Sequence, residues 1–177
     1  LENLAEGALV PGGSYYTMQN GSAVLAVKIP ENPAKGFRIA ASHSDSPCFK
    51  IKEVPEMKVE NTYVKLNVEK YGGMILSPWL DRPLSVAGRV FVAGKDGKPE
   101  AKLVNLKKDL LIIPNVAIHF NREINNGFAY NPQTDMAPLM GLDQELSIKK
   151  LCAEAAGVAE EEILGSDLYV YNRDKGR

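Results

Sequence analysis

The sequence predicts a mainly β fold of the α+β class, and three observations support this prediction. An Asn20-Gly21 pair, a strong hairpin signal, separates two runs of strand-forming residues. The run Tyr63–Lys70 alternates apolar and polar residues, as a strand with one solvated face does. Short apolar runs separated by turn residues recur through the second half of the chain, which is typical of a small barrel or sandwich.

The first part of the chain is predicted to begin an α/β domain. Its hairpin pairs strands Tyr15–Met18 and Ser22–Ile29, and the nearly continuous apolar run Phe37–Ser42 has the pattern of a central strand covered on both faces. Ligands of open α/β sheets bind beyond the carboxyl ends of the strands, where His43 and Asp45 lie in the sequence. These two residues are therefore the first candidates for chemistry.

A change of residue pattern near Lys58 predicts a boundary between a first domain, residues 1–58, and a second, mainly β domain, residues 59–177. Two or three helices are expected in the second domain. The first covers Ile113–Asn126 and places His119 on its polar face. The other predicted elements are strands Leu84–Val92, Lys102–Asn105, Leu110–Ile113 and Asp167–Tyr171, a helix Asp143–Ala156 capped by Asp143 and ended by Gly157, and a short helix Glu160–Leu164 stopped by Gly165.

Composition and charge exclude several classes of function. The chain has 177 residues, 45% hydrophobic and 24% charged, and its net charge of −1 argues against nucleic-acid binding. Charged residues interrupt every long apolar run, which argues against a membrane span. The sparse use of cysteine and the lack of a signal-peptide pattern favour the cytoplasm. Because the chain starts with Leu1 rather than Met, we expect it to be a piece of a longer protein.

His43 and Asp45 could form part of a metal site. A carboxylate near a ligand histidine fixes the tautomer and direction of the imidazole. A catalytic zinc ion takes about three protein ligands, however, and Cys48 and Cys152 do not have the spacing of a cysteine zinc cluster. The alternative is a plain strand-end turn in which Asp45 bonds to backbone and His43 is only polar.

The other polar residues have strong structural alternatives. His119 on a helix would most simply be solvated or lie in an interface. Trp79 beside Asp81 and Arg82 is more typical of packing and ion pairing than of catalysis. Ser46 follows His43, but no Gly-x-Ser-x-Gly elbow and no Gly-rich phosphate loop is present, so a serine hydrolase and a nucleotide enzyme are both disfavoured.

Four stretches of the chain together resemble the aspartyl aminopeptidase and aminopeptidase I family of dinuclear zinc peptidases. They are Pro11–Tyr16 with Asn20–Ser22, His43–Cys48, Tyr71–Gly73 with Trp79–Val90, and Ile113–Arg122. Two departures are visible: Ser44 replaces a common threonine, and the family has a more polar, aromatic-rich stretch at Met74–Pro78.

The resemblance implies a function and a role for three residues. The complete protein would be a metalloaminopeptidase that removes acidic or aliphatic N-terminal residues from peptides by means of a metal-activated water. His43 would bind one of two zinc ions, or another divalent metal, and Asp45 would orient His43. Residues 1–58 would be the incomplete start of the catalytic domain. Residues 59–177 would be a barrel-like lid that builds a dimer, the unit of a larger homo-oligomer. His119 would reach the neighbouring subunit's active site to bind substrate or stabilise an oxyanion.

The resemblance also limits what the chain can do alone. In this family the other metal ligands and the general base, a glutamate, follow the lid, so we expect them outside this chain and expect the isolated chain to be inactive. A different class of function stays open, in which the chain is a self-association module without a catalytic role.

Overall fold

The computed structural model describes residues 2–3 and 8–174, and it divides into two compact units, Leu1–Ser44 and Asp45–Arg177. The predicted boundary near Lys58 falls inside a strand of the second unit, further along the chain than this division. The assignment of residues 1–58 to a catalytic domain and of residues 59–177 to a lid stays a prediction.

The first unit contains a three-stranded sheet with the order β1 (Glu2–Asn3), β2 (Ser14–Gln19), β3 (Ala23–Lys28). Strands β2 and β3 form the predicted hairpin, in which the Ser22 N–H donates to the Gln19 carbonyl. Asn20 and Gly21 adopt φ of 53° and 67°. This left-handed backbone is the conformation that Asn and Gly accept most readily, and it explains why the pair marks the turn.

The predicted central strand Phe37–Ser42 is wrong, because these residues have no regular secondary structure. Phe37 and Ile39 are 95% and 86% exposed. An apolar run becomes a buried strand only when neighbouring strands complete its hydrogen bonds, and no strand in the described part of the chain pairs with this segment.

The second unit is built on a six-stranded antiparallel sheet with the order β7-β6-β9-β4-β5-β8. Its strands are β4 (Cys48–Val59), β5 (Tyr63–Tyr71), β6 (Leu84–Ala93), β7 (Pro99–Asn105), β8 (Leu139–Gly141) and β9 (Ile163–Asn172). In β5 the alternation predicted from sequence is observed, with Val64, Leu66 and Val68 buried in the core. The mainly β character with few helices is thus confirmed.

The predicted barrel is not supported, because the sheet is open. Strands β7 and β8 form its two edges. Residues 111–112 make only single bridges, from Leu111 to Leu84 and from Ile112 to Leu139, where a strand Leu110–Ile113 was expected. Isolated bridges do not provide the continuous ladder that closes a barrel.

The helix predictions were partly wrong. Residues 113–126 form irregular backbone and turns rather than a helix. The observed helix α1 (Ile148–Ala156) is capped by Ser147, whose side chain accepts from the Lys150 N–H, and not by Asp143. It ends at Gly157 as predicted, with φ of 66°. The predicted short helix is a single 3-10 turn, Glu160–Glu162, and Gly165 lies inside β9. No helix within residues 8–174 is long and apolar enough to cross a membrane.

Candidate functional site

His43 lies in the irregular segment that follows β3, and its side chain is exposed. The sequence analysis placed it at the end of a buried strand, so this part of its predicted setting is not observed. The spacing of two residues between His43 and Asp45 is the remaining part of the predicted setting.

Asp45 is held by a partner from another part of the sequence. The Tyr71 hydroxyl donates a hydrogen bond to Asp45 Oδ2, and Tyr71 is the last residue of β5. This hydrogen bond is the main reason that the pKa of Tyr71 lies above its usual value. Tyr71 therefore stays protonated at neutral pH and acts as a donor. The sequence-based alternative, a local turn bond from Asp45 to backbone, does not describe this side-chain contact.

Cys48 follows Asp45 closely and begins β4. Burial raises the pKa of the Cys48 thiol, and the negative charge of Asp45 raises it further. The thiolate is the nucleophilic and metal-binding form of cysteine. The raised pKa leaves less of the Cys48 thiolate at neutral pH than an ordinary cysteine has.

His119 lies in the turns that follow residue 113 and is exposed. The root of this segment is fixed by Asp81: its N–H donates to the Ile113 carbonyl, and its Oδ1 accepts from the Asn115 N–H, both at 2.9 Å. The apolar side chains around His119 are exposed as well, at 50% for Val116 and 87% for Phe120. The segment therefore presents His119 beside exposed apolar side chains, in turns rather than on the polar face of a helix.

Asp81 and Arg82, which the sequence suggested as an ion pair, each have a different partner. Arg82 lies 3.4 Å from the Asp174 carboxylate, whereas Asp81 binds backbone as described above. Trp79 packs edge-to-face against Phe49, with ring centroids 5.1 Å apart, at the border of the core. The prediction that this stretch serves packing is confirmed for Trp79.

The described residues do not form a zinc site by themselves. The imidazole of His43 is a suitable donor, and Asp45 follows it at the spacing of an orienting carboxylate. Within residues 8–174, however, no three His, Cys, Asp or Glu side chains are grouped so that they could hold a metal ion. Because a catalytic zinc ion takes about three protein ligands, these residues do not fit a complete zinc centre on their own.

A cavity of about 630 Å³ in the second unit is lined by other residues. Its walls come mainly from β4, β9 and α1, with Glu69 of β5 and Val90 of β6, and include neither Asp45 nor His119. The candidate residues that the sequence predicted are therefore not residues of this cavity.

Comparison with known proteins decides the family. Residues 2–177 match the aminopeptidase I zinc metalloproteases, family M18. The chain belongs to the M18 family. The resemblance drawn from the sequence motifs is thereby confirmed. The chain is 48% identical over 172 residues to a probable M18 family aminopeptidase 2 of Clostridium acetobutylicum, an alignment that covers 93% of this chain and 40% of the relative.

Solved structures share the fold. A chain of the Ape4 and Nbr1 complex superposes with a TM-score of 0.80 at 32% identity, covering 96% of this chain and 36% of that one. The mApe1 dodecamer of Saccharomyces cerevisiae gives a TM-score of 0.69 at 23% identity, covering 93% of this chain and 38% of that one. The chain thus spans about 40% of the length of the M18 relatives it matches.

The sequence did not predict the hydrogen bonds by which two residues, Tyr71 and Asp81, hold the segments of the candidate residues Asp45 and His119. Tyr71 binds Asp45 from 26 residues further along the chain, and Asp81 binds Asn115, at the root of the His119 segment, across 34 residues. The Tyr71–Gly73 and Trp79–Val90 stretches carried the family resemblance, and that resemblance was the one sequence signal that pointed to them. Spacing alone could not have paired residues so far apart.

Proposed function

We propose that this chain is part of a zinc-dependent aminopeptidase that removes acidic or aliphatic N-terminal residues from peptides. The observation that carries the proposal is the M18 match over residues 2–177, which includes the segments of His43, Asp45 and His119. In this proposal His43 is one metal ligand and Asp45 orients it.

His43 and Asp45 would have different roles at the metal site. His43 would bind one of the two zinc ions through an imidazole nitrogen. Asp45 would favour the correct tautomer and direction of that imidazole. Bound zinc in such sites lowers the pKa of a water molecule, which then becomes a nucleophile at neutral pH. Other divalent metals that accept imidazole are compatible with the same donor.

His119 would act in the active site of a neighbouring subunit. Its segment is exposed and carries three apolar side chains, Val116, Ile118 and Phe120, at 50%, 47% and 87% exposure. A surface of this kind favours burial against another protein. A homo-oligomer built from dimers would supply that neighbour, and the yeast mApe1 relative is a dodecamer. There His119 would bind the peptide substrate or stabilise the developing oxyanion.

Two further expectations belong to this proposal. The isolated 177-residue chain should neither bind zinc stoichiometrically nor cleave peptides, because its described residues form no complete metal site. The complete protein should work in the cytoplasm, as the composition suggests.

Subunit complementation in the complete gene product tests the proposal. His43→Ala and His119→Ala should each abolish peptide cleavage, and only His43→Ala should lower the zinc content. When the two variants are mixed and allowed to exchange subunits, mixed dimers should regain activity, since one of their two sites has both an intact His43 and an intact His119. Arg122→Ala, a change in the same exposed segment, is the control and should leave cleavage unchanged. Mixtures as inactive as the separate variants would contradict the role of His119 in a neighbouring subunit.

A self-association module without catalysis is the second candidate. The exposed apolar side chains near His119 favour it as much as they favour the enzyme. If the chain has this role alone, His43→Ala would change neither the zinc content nor peptide cleavage of the complete protein, and Phe120→Ser would disperse the oligomer. The zinc content of His43→Ala therefore separates the two candidates.

A further inference from the structure

The segment Asp45–Cys48 is attached to the end of β5 by three contacts within the second unit. The Tyr71 hydroxyl donates to Asp45 Oδ2. The backbones of Cys48 and Tyr71 are register partners of β4 and β5. A Cβ atom placed on Gly72 would lie 3.3 Å from Cβ of Pro47, so the two backbones approach closely there. Together these contacts fix the segment Asp45–Cys48.

Tyr71 is itself held in place. Its ring packs edge-to-face on Tyr169 of β9, with centroids 6.0 Å apart and an interplanar angle of 68°. Its backbone belongs to the β4–β5 ladder, and Gly72 follows with φ of 79°, which turns the chain away at once. The hydroxyl therefore comes from a supported position on the sheet, even though the side chain is 42% exposed.

We propose that Tyr71 is a positioning residue that holds the Asp45 carboxylate in the orientation needed to direct His43. The inference rests on the proposed function, in which Asp45 orients His43. A hydrogen bond to Oδ2 restricts rotation of the carboxylate, and partners of this outer kind orient metal ligands in many proteins. Tyr71 acts through Asp45 and has no contact with substrate in this role.

Acting through Asp45 has a measurable signature. If the hydroxyl works only by orienting the carboxylate, its removal weakens zinc binding while Asp45 is present and has no further effect once Asp45 is replaced. A double-mutant cycle detects this as non-additivity. A general structural role of Tyr71 would lower stability in both backgrounds and would leave the two effects independent.

The test uses the complete gene product and measures zinc affinity by competition with a chelator, together with kcat, KM and Tm. The variants are Tyr71→Phe, Asp45→Asn, both together, and Tyr171→Phe. The last is the matched control, because the Tyr171 hydroxyl also donates to a side chain, Asn105 Oδ1 at 2.7 Å, but not to the Asp45 segment. All affinities are measured well below the lowest Tm, so that unfolding does not imitate a loss of binding.

We expect Asp45→Asn to weaken zinc binding about tenfold or more, in keeping with the roughly 10- to 100-fold typical of outer partners. Tyr71→Phe, which acts through Asp45, should weaken it less, about fivefold. The double variant should match Asp45→Asn within about twofold, because the two effects are not independent. At saturating zinc, Tyr71→Phe should lower kcat with little change in KM. Tyr171→Phe should match the wild type in all of these quantities.

Two results would overturn the inference, and they differ in what else they affect. If Tyr71→Phe binds zinc as tightly as Tyr171→Phe does, or if its effect adds fully to that of Asp45→Asn, Tyr71 does not act through Asp45, and the proposed function stands. If His43→Ala leaves zinc affinity unchanged, the proposed function fails, and the inference fails with it.

Discussion

Glu56 Oε1 accepts a hydrogen bond of 2.7 Å from the Ile148 N–H, across 92 residues of sequence. Ile148 is the first residue of α1, whose initial N–H groups have no partner within the helix. Ser147 satisfies the Lys150 N–H, and Glu56 satisfies that of Ile148. A strand residue thereby completes the cap of the helix and ties α1 to β4.

Replacement of Glu56 by Ala should destabilise the chain by about 1 kcal/mol, the usual cost of losing a helix cap. Urea unfolding followed by circular dichroism measures this change. Glu53→Ala is the matched control, because Glu53 is an exposed glutamate of the same strand, and it should cost less than about 0.5 kcal/mol. Equal losses for the two variants would show that the contact with Ile148 adds nothing.

Gly88 marks a close approach between β6 and β9. A Cβ atom at this position would lie 2.1 Å from the Asp167 carbonyl oxygen, which is backbone and cannot rotate away. Gly88→Ala should therefore destabilise the chain by about 3 kcal/mol, at the upper end of overpacking costs. Gly165→Ala in β9, where no atom lies within 4 Å of the added Cβ, should change stability by less than about 0.5 kcal/mol. Thermal and urea unfolding of both variants check the contrast.

Local sequence signals predicted the elements whose partners are near in sequence. The Asn20-Gly21 turn requires left-handed backbone, and the two residues accept it, so the hairpin was correctly placed. In β5, alternation follows directly from one buried face. Phe37–Ser42 had an equally clear pattern but found no strand partner in the described part of the chain, so its pattern alone did not make it a strand.

The failed helix at residues 113–126 shows how side chains compete with helical bonds. Asn115 Oδ1 accepts from the Val116 N–H, and Asn121 Oδ1 accepts from the Glu123 N–H. Asparagine favours turns in this way. The apolar spacing that predicted the helix is real, but most of these residues are exposed, so little tertiary packing stabilises a helix there.

The candidate residues could be predicted from the sequence, but the residues that hold them in place could not. His43, Asp45 and His119 stood out because imidazole and carboxylate groups are chemically distinctive and the chain has only two histidines. Tyr71 and Asp81 reach their partners only after β4 and β5 pair and the chain folds back from β6. Such contacts depend on register, which a single sequence does not display.

Asp167 should make stability depend on pH in the acid range. The hydrogen bonds from Arg89, at 2.9 and 3.1 Å, hold the pKa of Asp167 below its usual value of 3.8, against the opposing effect of burial. A lowered pKa in the folded state gives stability that is complete above the unfolded value and is lost as the pH falls below about 4. The free energy of unfolding of wild type should therefore exceed that of Asp167→Asn at pH 7, and the gap should shrink at pH 3. Asp96→Asn, in the exposed turn after β6, should show no such gap at either pH.

The two cysteines should differ in reactivity in the folded chain. Burial raises the pKa of Cys152 to about 11, and this residue is 0% exposed, whereas Cys48 is only partly buried. Because the thiolate is the reactive form, a disulfide reagent at pH 8 should label Cys48 first and Cys152 only as fast as the chain opens. Cys48→Ser should remove the faster phase and Cys152→Ser the slower one, and in urea both thiols should react at the same rate. Rapid labelling of Cys152 in the folded Cys48→Ser variant would contradict the burial on which this prediction depends.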